Sequence, residues 1–322
     1  MTKLKTWKFI LESLSKNIEV ILLYVLESTG SSPGRQGFFM AITSNNEISG
    51  SIGGGIMEHK FVELSKELLQ KNKDANYIKK QIHNKEAASN QSGMICSGEQ
   101  TFFSYKIKKK EQDIIQQLIE AIEQNDNTFL ILQPNAILLS KENGGENYSF
   151  VYKNENEWIY KEKLGLKNNL YIVGGGHCSL ALSKLASSLD FCIHIIDDRE
   201  SLNTIEQNID AHNKIWVNNY SELNTIIPSG NNNYVVIMTI GYRTDAIAIK
   251  ALLQNDYKYI GVLGSREKIK TLFAELKIGG IEQAKLDKIH APIGLAINSQ
   301  TPEEIAVSIA AEIIKVKNKR DL

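Results

Sequence analysis

Residues 170–198 constrain the fold of this chain more than any other stretch. They read LYIVGGGHCSLALSKLASSLDFCIHIIDD. Leu170 to Val173 is a short apolar run of strand formers, broken by Gly174, Gly175 and Gly176. Leu180, Leu182, Leu185, Ala186 and Leu189 then recur at helical spacing, and a second apolar run, Phe191 to Ile196, ends on Asp197 and Asp198. Strand, glycine turn, helix, strand and acid in that order make a βαβ unit. Glycines allow a ligand to approach the backbone closely, and the helix behind them aims free N–H groups at an anion. The spacing puts Asp197 where an acid can accept from a ribose hydroxyl. Gly174 and Gly176 fill the first two positions of the dinucleotide glycine pattern, while Ser179 stands in the third.

Further strands and helices alternate after this unit. Strands are expected near 214–217, 234–239 and 259–263, and helices after Tyr242, after Arg266 and from Pro302 to Lys317. Thr301, Pro302 and Glu304 form a helix-start signature: a capping residue, a proline at the first helical position and a capping-box acid. This alternation predicts a doubly wound parallel sheet, whose ligands bind at the carboxyl ends of the strands. Gly174–His177, Asp197, Thr239–Asp245 and Gly264–Arg266 should then share one rim. The predicted class is α/β: a C-terminal Rossmann-like doubly wound parallel sheet plus an N-terminal α+β domain. The expected division is 1–160 for the first domain, a charged linker at 161–169, and 170–322 for the second.

The N-terminal part opens with an amphipathic helix over 4–16, followed by a buried strand from Val20 to Leu26 and a loop rich in small residues, Glu27 to Gly37. Strands at 38–43 and 48–52 lead into Gly53-Gly54-Gly55 and a helix to about Gln70. This second strand, triple glycine and helix repeats the pattern at 170. It serves either as a ligand turn or as a close crossing of backbone and helix. Asn84 to Gly93 is read as a loop, and strands near 128–133, 136–140, 148–152 and 156–160 as a meander.

Lysine plus arginine balances aspartate plus glutamate at 37 each, so no global field attracts nucleic acid or an anionic membrane. No apolar run is long enough to span a bilayer, and the charged N-terminus does not read as a signal peptide. Cys96, Cys178 and Cys192 are too few for a disulfide framework and lack zinc-like spacing, which fits a reducing cytoplasm.

Several segments together resemble one family. GSSPGRQG, SGSIGGGIMEHKF and SGMICSGEQTFF are similar to the N-terminal domain of the XdhC/CoxI proteins. The 170–202 stretch, VVIMTIGYRTDAIAIKALL, YIGVLGSREK and HAPIGLAINSQTPEEIAVSIAAEII are similar to their C-terminal Rossmann domain. The resemblance implies an accessory factor rather than an enzyme with turnover of its own. Such a factor binds the molybdenum cofactor (molybdopterin), protects it while a cysteine desulfurase supplies sulfur, and hands it to an apo molybdenum hydroxylase of the xanthine dehydrogenase type. It also implies a homodimer. Carried over by position, Gly53, Gly54, Gly55 and Glu58 match the family's glycine loop, and Cys96 the cysteine of its Gly-Met-x-Cys segment. Gly174, Gly176 and His177 match its Gly-x-Gly-His turn, Asp197 and Asp198 its acidic strand end, and Asp245 and Gly264-Ser265-Arg266 its later loops. Ile56 stands where many members carry cysteine, and Tyr242 where many carry histidine.

A glycine turn at a helix start suits the cofactor's phosphate, and a thiolate suits molybdenum or sulfur, which makes Cys96 the candidate soft contact. Cys178 lies in the first turn after the glycines, where a helix dipole lowers a thiol's pKa, although a packing role is favoured; Cys192 is expected in the core. The competing readings are an NAD(P)-dependent oxidoreductase, not favoured, and a scaffold without chemistry.

Overall fold

The structure is a computed structural model that describes residues 2–82, 98–142 and 146–319. Its contacts divide the chain into two units, Met1–Gly165 and Leu166–Leu322.

The first unit opens with helix α1 (Thr2–Ser15), then strands β1 (Val20–Gly30), β2 (Phe39–Thr43) and β3 (Ile48–Ser51), helix α2 (Gly55–Gln70), and strands β4 (Tyr77–Ile82) and β5 (Gly98–Ile107). Helix α3 (Gln112–Gln124) and strands β6 (Thr128–Gln133), β7 (Ala136–Lys141), β8 (Tyr148–Asn154) and β9 (Glu157–Lys163) complete it. The strands form two antiparallel sheets, ordered β3-β2-β1-β5-β4 and β7-β6-β9-β8. The continuous apolar run VILLYVL in β1 is buried throughout, because both faces of its sheet are covered. Ile21, Leu23 and Val25 pack on Met57, Phe61 and Val62 of α2. Val20, Leu22 and Tyr24 face a core shared with Trp7, Ile119, Leu130 and Tyr160.

Two features depart from the sequence reading. β4 reads YIKKQI, too polar to be seen as a strand; it lies at the sheet edge, where lysines are tolerated and protect an open ladder. The stretch 161–169 is not free chain, since β9 runs to Lys163. Glu162 within it is buried, accepting from Tyr160 Oη at 2.8 Å and Lys3 Nζ at 2.6 Å. Charge made this segment look exposed; its buried alternation Trp158, Tyr160, Glu162 makes it strand.

The second unit runs β10 (Asn168–Val173), α4 (His177–Ser187), β11 (Phe191–Asp197), α5 (Asn203–Glu206), β12 (Asn213–Trp216), α6 (Leu223–Ile226), β13 (Gly230–Ile237), α7 (Tyr242–Leu252) and β14 (Tyr257–Val262), then α8 (Arg266–Ile278), α9 (Gln283–Leu286) and α10 (Pro302–Lys317). Its strands form one parallel sheet in the order β12-β11-β10-β13-β14. Leu182 and Ala186 of α4 and Ile309 and Ile313 of α10 cover one face. Ile249 and Leu252 of α7 and Leu272 and Leu276 of α8 cover the other. Helices on both faces explain why these strands are near-continuous apolar runs. Thr301 caps α10 as its sequence requires: its Oγ1 accepts from the Glu304 N–H at 3.2 Å, and Glu304 Oε2 accepts from the Thr301 N–H at 3.1 Å. Among the described residues, no helix is long and apolar enough to cross a membrane.

His194 in β11 makes this unit acid-sensitive. Its ring stacks on Tyr171 at 4.4 Å, and its Nδ1 accepts from Asn213 Nδ2 at 3.1 Å, which requires the neutral form. Burial, and secondarily His212, pull its pKa from 6.5 to about 4; burial also lowers that of His212, against an opposing pull from Asp210. The unfolded chain therefore binds more protons than the folded one between these values, so stability falls as pH drops below 6.5 and levels off near 4. The expected loss is on the order of 2 kcal/mol after allowing for partial exposure. Urea unfolding followed across that range should show it, and His194→Gln should flatten the slope.

Candidate ligand-binding site

In the parallel sheet the chain order reverses between β10 and β13, the switch point at whose carboxyl ends doubly wound sheets form their ligand crevice. Gly174 follows β10, Asp197 ends β11, Asp245 lies in the first turn of α7 after β13, and Arg266 opens α8 after β14. The segments read from the sequence as one rim thus lie at the same end of one sheet.

Gly174 has φ +108°, and a Cβ there would lie 2.4 Å from the Met238 carbonyl oxygen. Glycine is needed because the turn after β10 presses against the end of β13. Gly176 differs. Its φ of −74° suits any residue, and a Cβ there would meet nothing within 4 Å. It gives α4 no side-chain cap, so no capping side chain takes up the first-turn N–H groups of that helix. His177, the first residue of α4, is exposed.

Two buried carboxylates clasp the rim. Asp197 is fully buried. Its Oδ2 accepts from the Gly175 N–H at 2.6 Å and Arg199 Nη2 at 2.7 Å, and its Oδ1 from Arg199 Nε at 2.8 Å and the Arg199 N–H at 3.0 Å. Burial alone would raise its pKa, but the guanidinium and these N–H donors outweigh that and hold the carboxyl below its ordinary value. Asp197 thus presents no free surface to a ribose, contrary to the role its spacing suggests; it ties the glycine turn to the end of β11. Asp245, also fully buried, plays the matching part after β13. Its Oδ1 accepts from Thr239 Oγ1 at 2.6 Å and the Thr239 N–H at 3.2 Å, and Lys268 Nζ lies 2.6 Å from its Oδ2. Arg266 and Ser265 are exposed, and Ser265 caps α8. Arg199 and Lys268 escaped the sequence reading. Arg199 closes the DDR that holds Asp197, and Lys268 closes GSREK on the neighbouring strand's loop. A buried acid's need for a nearby cation is the signal that finds them.

The triple glycine of the first unit is built differently. Gly53, Gly54 and Gly55 all have positive φ. Glu58 Oε2 accepts from the Ile52 N–H and the Gly54 N–H, both at 2.9 Å, and from Ser51 Oγ at 2.7 Å. The chain's own carboxylate, Glu58, thus satisfies this turn. Gln100 Nε2 donates to the Gly34 carbonyl at 2.8 Å, tying the small-residue loop to β5, and Arg35 donates to the Gly30 carbonyl at 2.9 Å. Cys96, and the loop read at Asn84 to Gly93, lie outside the described residues. Cys178 is half-buried, and burial, then Glu303, raise its thiol pKa, which overturns the expected lowering by the helix start. Cys192 is buried in β11. No group of three or more histidine, cysteine or acidic residues among the described residues is placed to hold a metal.

The model of the XdhC Rossmann domain matches residues 170–313, and that of the XdhC and CoxI family matches residues 13–78. The chain belongs to the XdhC/CoxI family. Among curated relatives, this XdhC/CoxI chain is 24% identical to the uncharacterized protein YqeB of Escherichia coli over 304 residues, covering 94% of the chain and 44% of that protein. It is 26% identical to a probable xanthine dehydrogenase subunit of Bacillus subtilis over 167 residues, covering 50% of the chain and 46% of that protein. The chain thus spans less than half the length of both. A solved structure described as a xanthine dehydrogenase from Bacillus halodurans superposes with a TM-score of 0.67 at 20% identity, covering 99% of this chain and 97% of that one, which shows a shared fold.

Proposed function

We propose that this XdhC/CoxI chain is an accessory factor for a molybdenum hydroxylase of the xanthine dehydrogenase type, acting as a carrier of the molybdenum cofactor. In this reading it binds the cofactor, holds it while a cysteine desulfurase supplies sulfur, and delivers it to the apoenzyme, working as a cytoplasmic homodimer. Family membership and a B. subtilis relative named as a xanthine dehydrogenase subunit support the accessory role.

The observation that carries the cargo assignment is the open start of α4. A phosphate needs several N–H donors, a favourable dipole and room for its oxygens. The Gly174–Gly176 turn provides the first two through α4, and the free space at Gly176 provides the third. His177, at the helix start, would donate to a phosphate or pterin oxygen, and Arg266, which opens α8, would offer positive charge. Cys96, carried over from the family's motif, supplies the soft contact for molybdenum or sulfur. When bound, the cargo brings the redox chemistry; the chain brings recognition and shielding.

Gly176→Asp tests this. The backbone accepts a side chain there, so the fold should persist with a melting shift no larger than a surface substitution gives. A carboxylate at the helix start occupies the phosphate position and repels the ligand, so molybdopterin binding should weaken at least tenfold, roughly 1.4 kcal/mol or more. Mass spectrometry of the natively purified protein should find molybdopterin in the parent and not in the variant. Recovery of NAD(P) with substrate turnover would favour the oxidoreductase reading instead, and unchanged molybdopterin binding in the variant would remove the turn from the site.

A further inference from the structure

We propose that a groove at one end of the five-stranded antiparallel sheet docks an acidic peptide segment of a partner protein, seating one apolar side chain between carboxylates. The groove has a volume of about 500 Å³ and belongs wholly to the first unit. It lies where the end of α1, the approach to β1, the link from α2 to β4 and the end of β5 converge. Its floor is apolar, made by Leu14, Ile18 and Ile107. Leu14 and Ile107 belong to the core behind it, and Ile18 is half-buried, so an aliphatic side chain resting there leaves water.

The rim is rich in donors. Lys106, Lys108 and Lys109 come from one run, KIKKK, at the end of β5. Lys106 is spent: its Nζ lies 2.7 Å from Glu19 Oε1 and donates to Asn72 Oδ1 at 2.8 Å. Lys108 and Lys109 are exposed and form no ion pair among the described residues. Glu111, the nearest acid in sequence, is engaged elsewhere, its Oε1 accepting from Tyr105 Oη at 2.6 Å and its Oε2 from the Lys108 N–H at 2.7 Å. Asn76 Oδ1 accepts from the Lys106 N–H at 3.0 Å, and Asn17 Oδ1 accepts from Lys109 Nζ, which leaves the NH2 group of each as a further donor. Against these donors stands Asp74, whose Oδ1 accepts from the Asn76 N–H at 3.0 Å. The lining thus carries three cations and two acids around an apolar floor. Carboxylates beside an aliphatic side chain complement it. A nucleic-acid backbone would want a run of cations without the two acids.

Fluorescence anisotropy of the full chain with the labelled peptide Glu-Glu-Leu-Glu-Glu tests this. The peptide should bind tighter, by roughly fivefold or more, than one with serine for leucine or one with lysine for glutamate, and its binding should weaken as salt rises. Lys109→Glu should weaken it roughly tenfold, whereas Lys60→Glu, the same change of charge on α2, should leave it within about twofold. Asp74→Asn keeps the acceptor for the Asn76 N–H and removes the opposing charge, so binding should strengthen about twofold. All three positions are exposed, so melting of the variants should match the parent. No binding at millimolar peptide, equal binding of the lysine peptide, or no effect of Lys109→Glu overturns the proposal. Oligouridylate that binds tighter than the acidic peptide and displaces it overturns it too, and assigns the groove to nucleic acid.

Discussion

Arg199→Ala lowers the unfolding free energy of the C-terminal unit by about 3–5 kcal/mol at pH 7, because it strands a carboxylate away from water. Asp197 is fully buried, and Arg199 supplies three of its four donors. Two of these come from the side chain, so the variant keeps only the backbone N–H groups of Gly175 and residue 199. In the parent the Asp197 pKa is depressed, so its contribution is present above the unfolded value of 3.8 and lost as pH falls through the folded value. In the variant burial goes unopposed by the guanidinium and pushes the carboxyl above its ordinary value. The defect should then shrink as pH falls toward about 5, the reverse of the parent's trend. Asp197→Ala should cost less, since Arg199 is partly exposed and its freed guanidinium can turn to water. Urea unfolding of the full chain at neutral and mildly acidic pH measures both. A loss below about 1 kcal/mol, equal at the two pH values, would show that the clasp contributes little.

Gly174→Ala should cost about 3 kcal/mol or more through backbone strain and a clash with a carbonyl, neither of which a rotamer change relieves. The added methyl would sit 2.4 Å from the Met238 carbonyl oxygen, at a φ of +108°. The ends of β10 and β13 would have to part, widening the crevice. Gly176→Ala makes the control: two residues along the same turn, it should stay within about 0.5 kcal/mol of the parent. Equal melting of the two alanine variants would mean that the turn does not press against β13.

Much of the second unit was legible because its signals are local. Alternating apolar runs and helical spacing marked the five strands β10 to β14 and the helices α4, α7, α8 and α10, though not the short α5, α6 and α9, and Thr301-Pro302-Glu303-Glu304 marked a helix start that the structure bears out hydrogen bond for hydrogen bond. The rim was legible because the parallel sheet brings its strands' carboxyl ends together. Other features depend on contacts distant in sequence. β4 is a strand because β5 pairs with it, whatever its lysines suggest in isolation. Glu162 is buried because Lys3, 159 residues away, and Tyr160 satisfy it. The spacing rule pointed to Asp197 by counting residues, but only the path of the Arg199 side chain shows that this acid is already taken. Gly53–Gly55 looked like Gly174–Gly176 in sequence. Yet Glu58 folds back over the first turn from its own helix, whereas Gly176 leaves the start of α4 without a side-chain cap.

The clasps at Asp197 and Asp245 also bear on kinetics. Each holds its loop by bonds within the chain, so the crevice has its shape before any guest arrives. A receptor formed in advance spends little ordering entropy on loading, and its association rate is limited by diffusion and orientation rather than by a folding step. Under the carrier role proposed above, how long a passenger stays aboard would then be governed by the contacts it makes on this rim, and by whatever surface a recipient offers in their place.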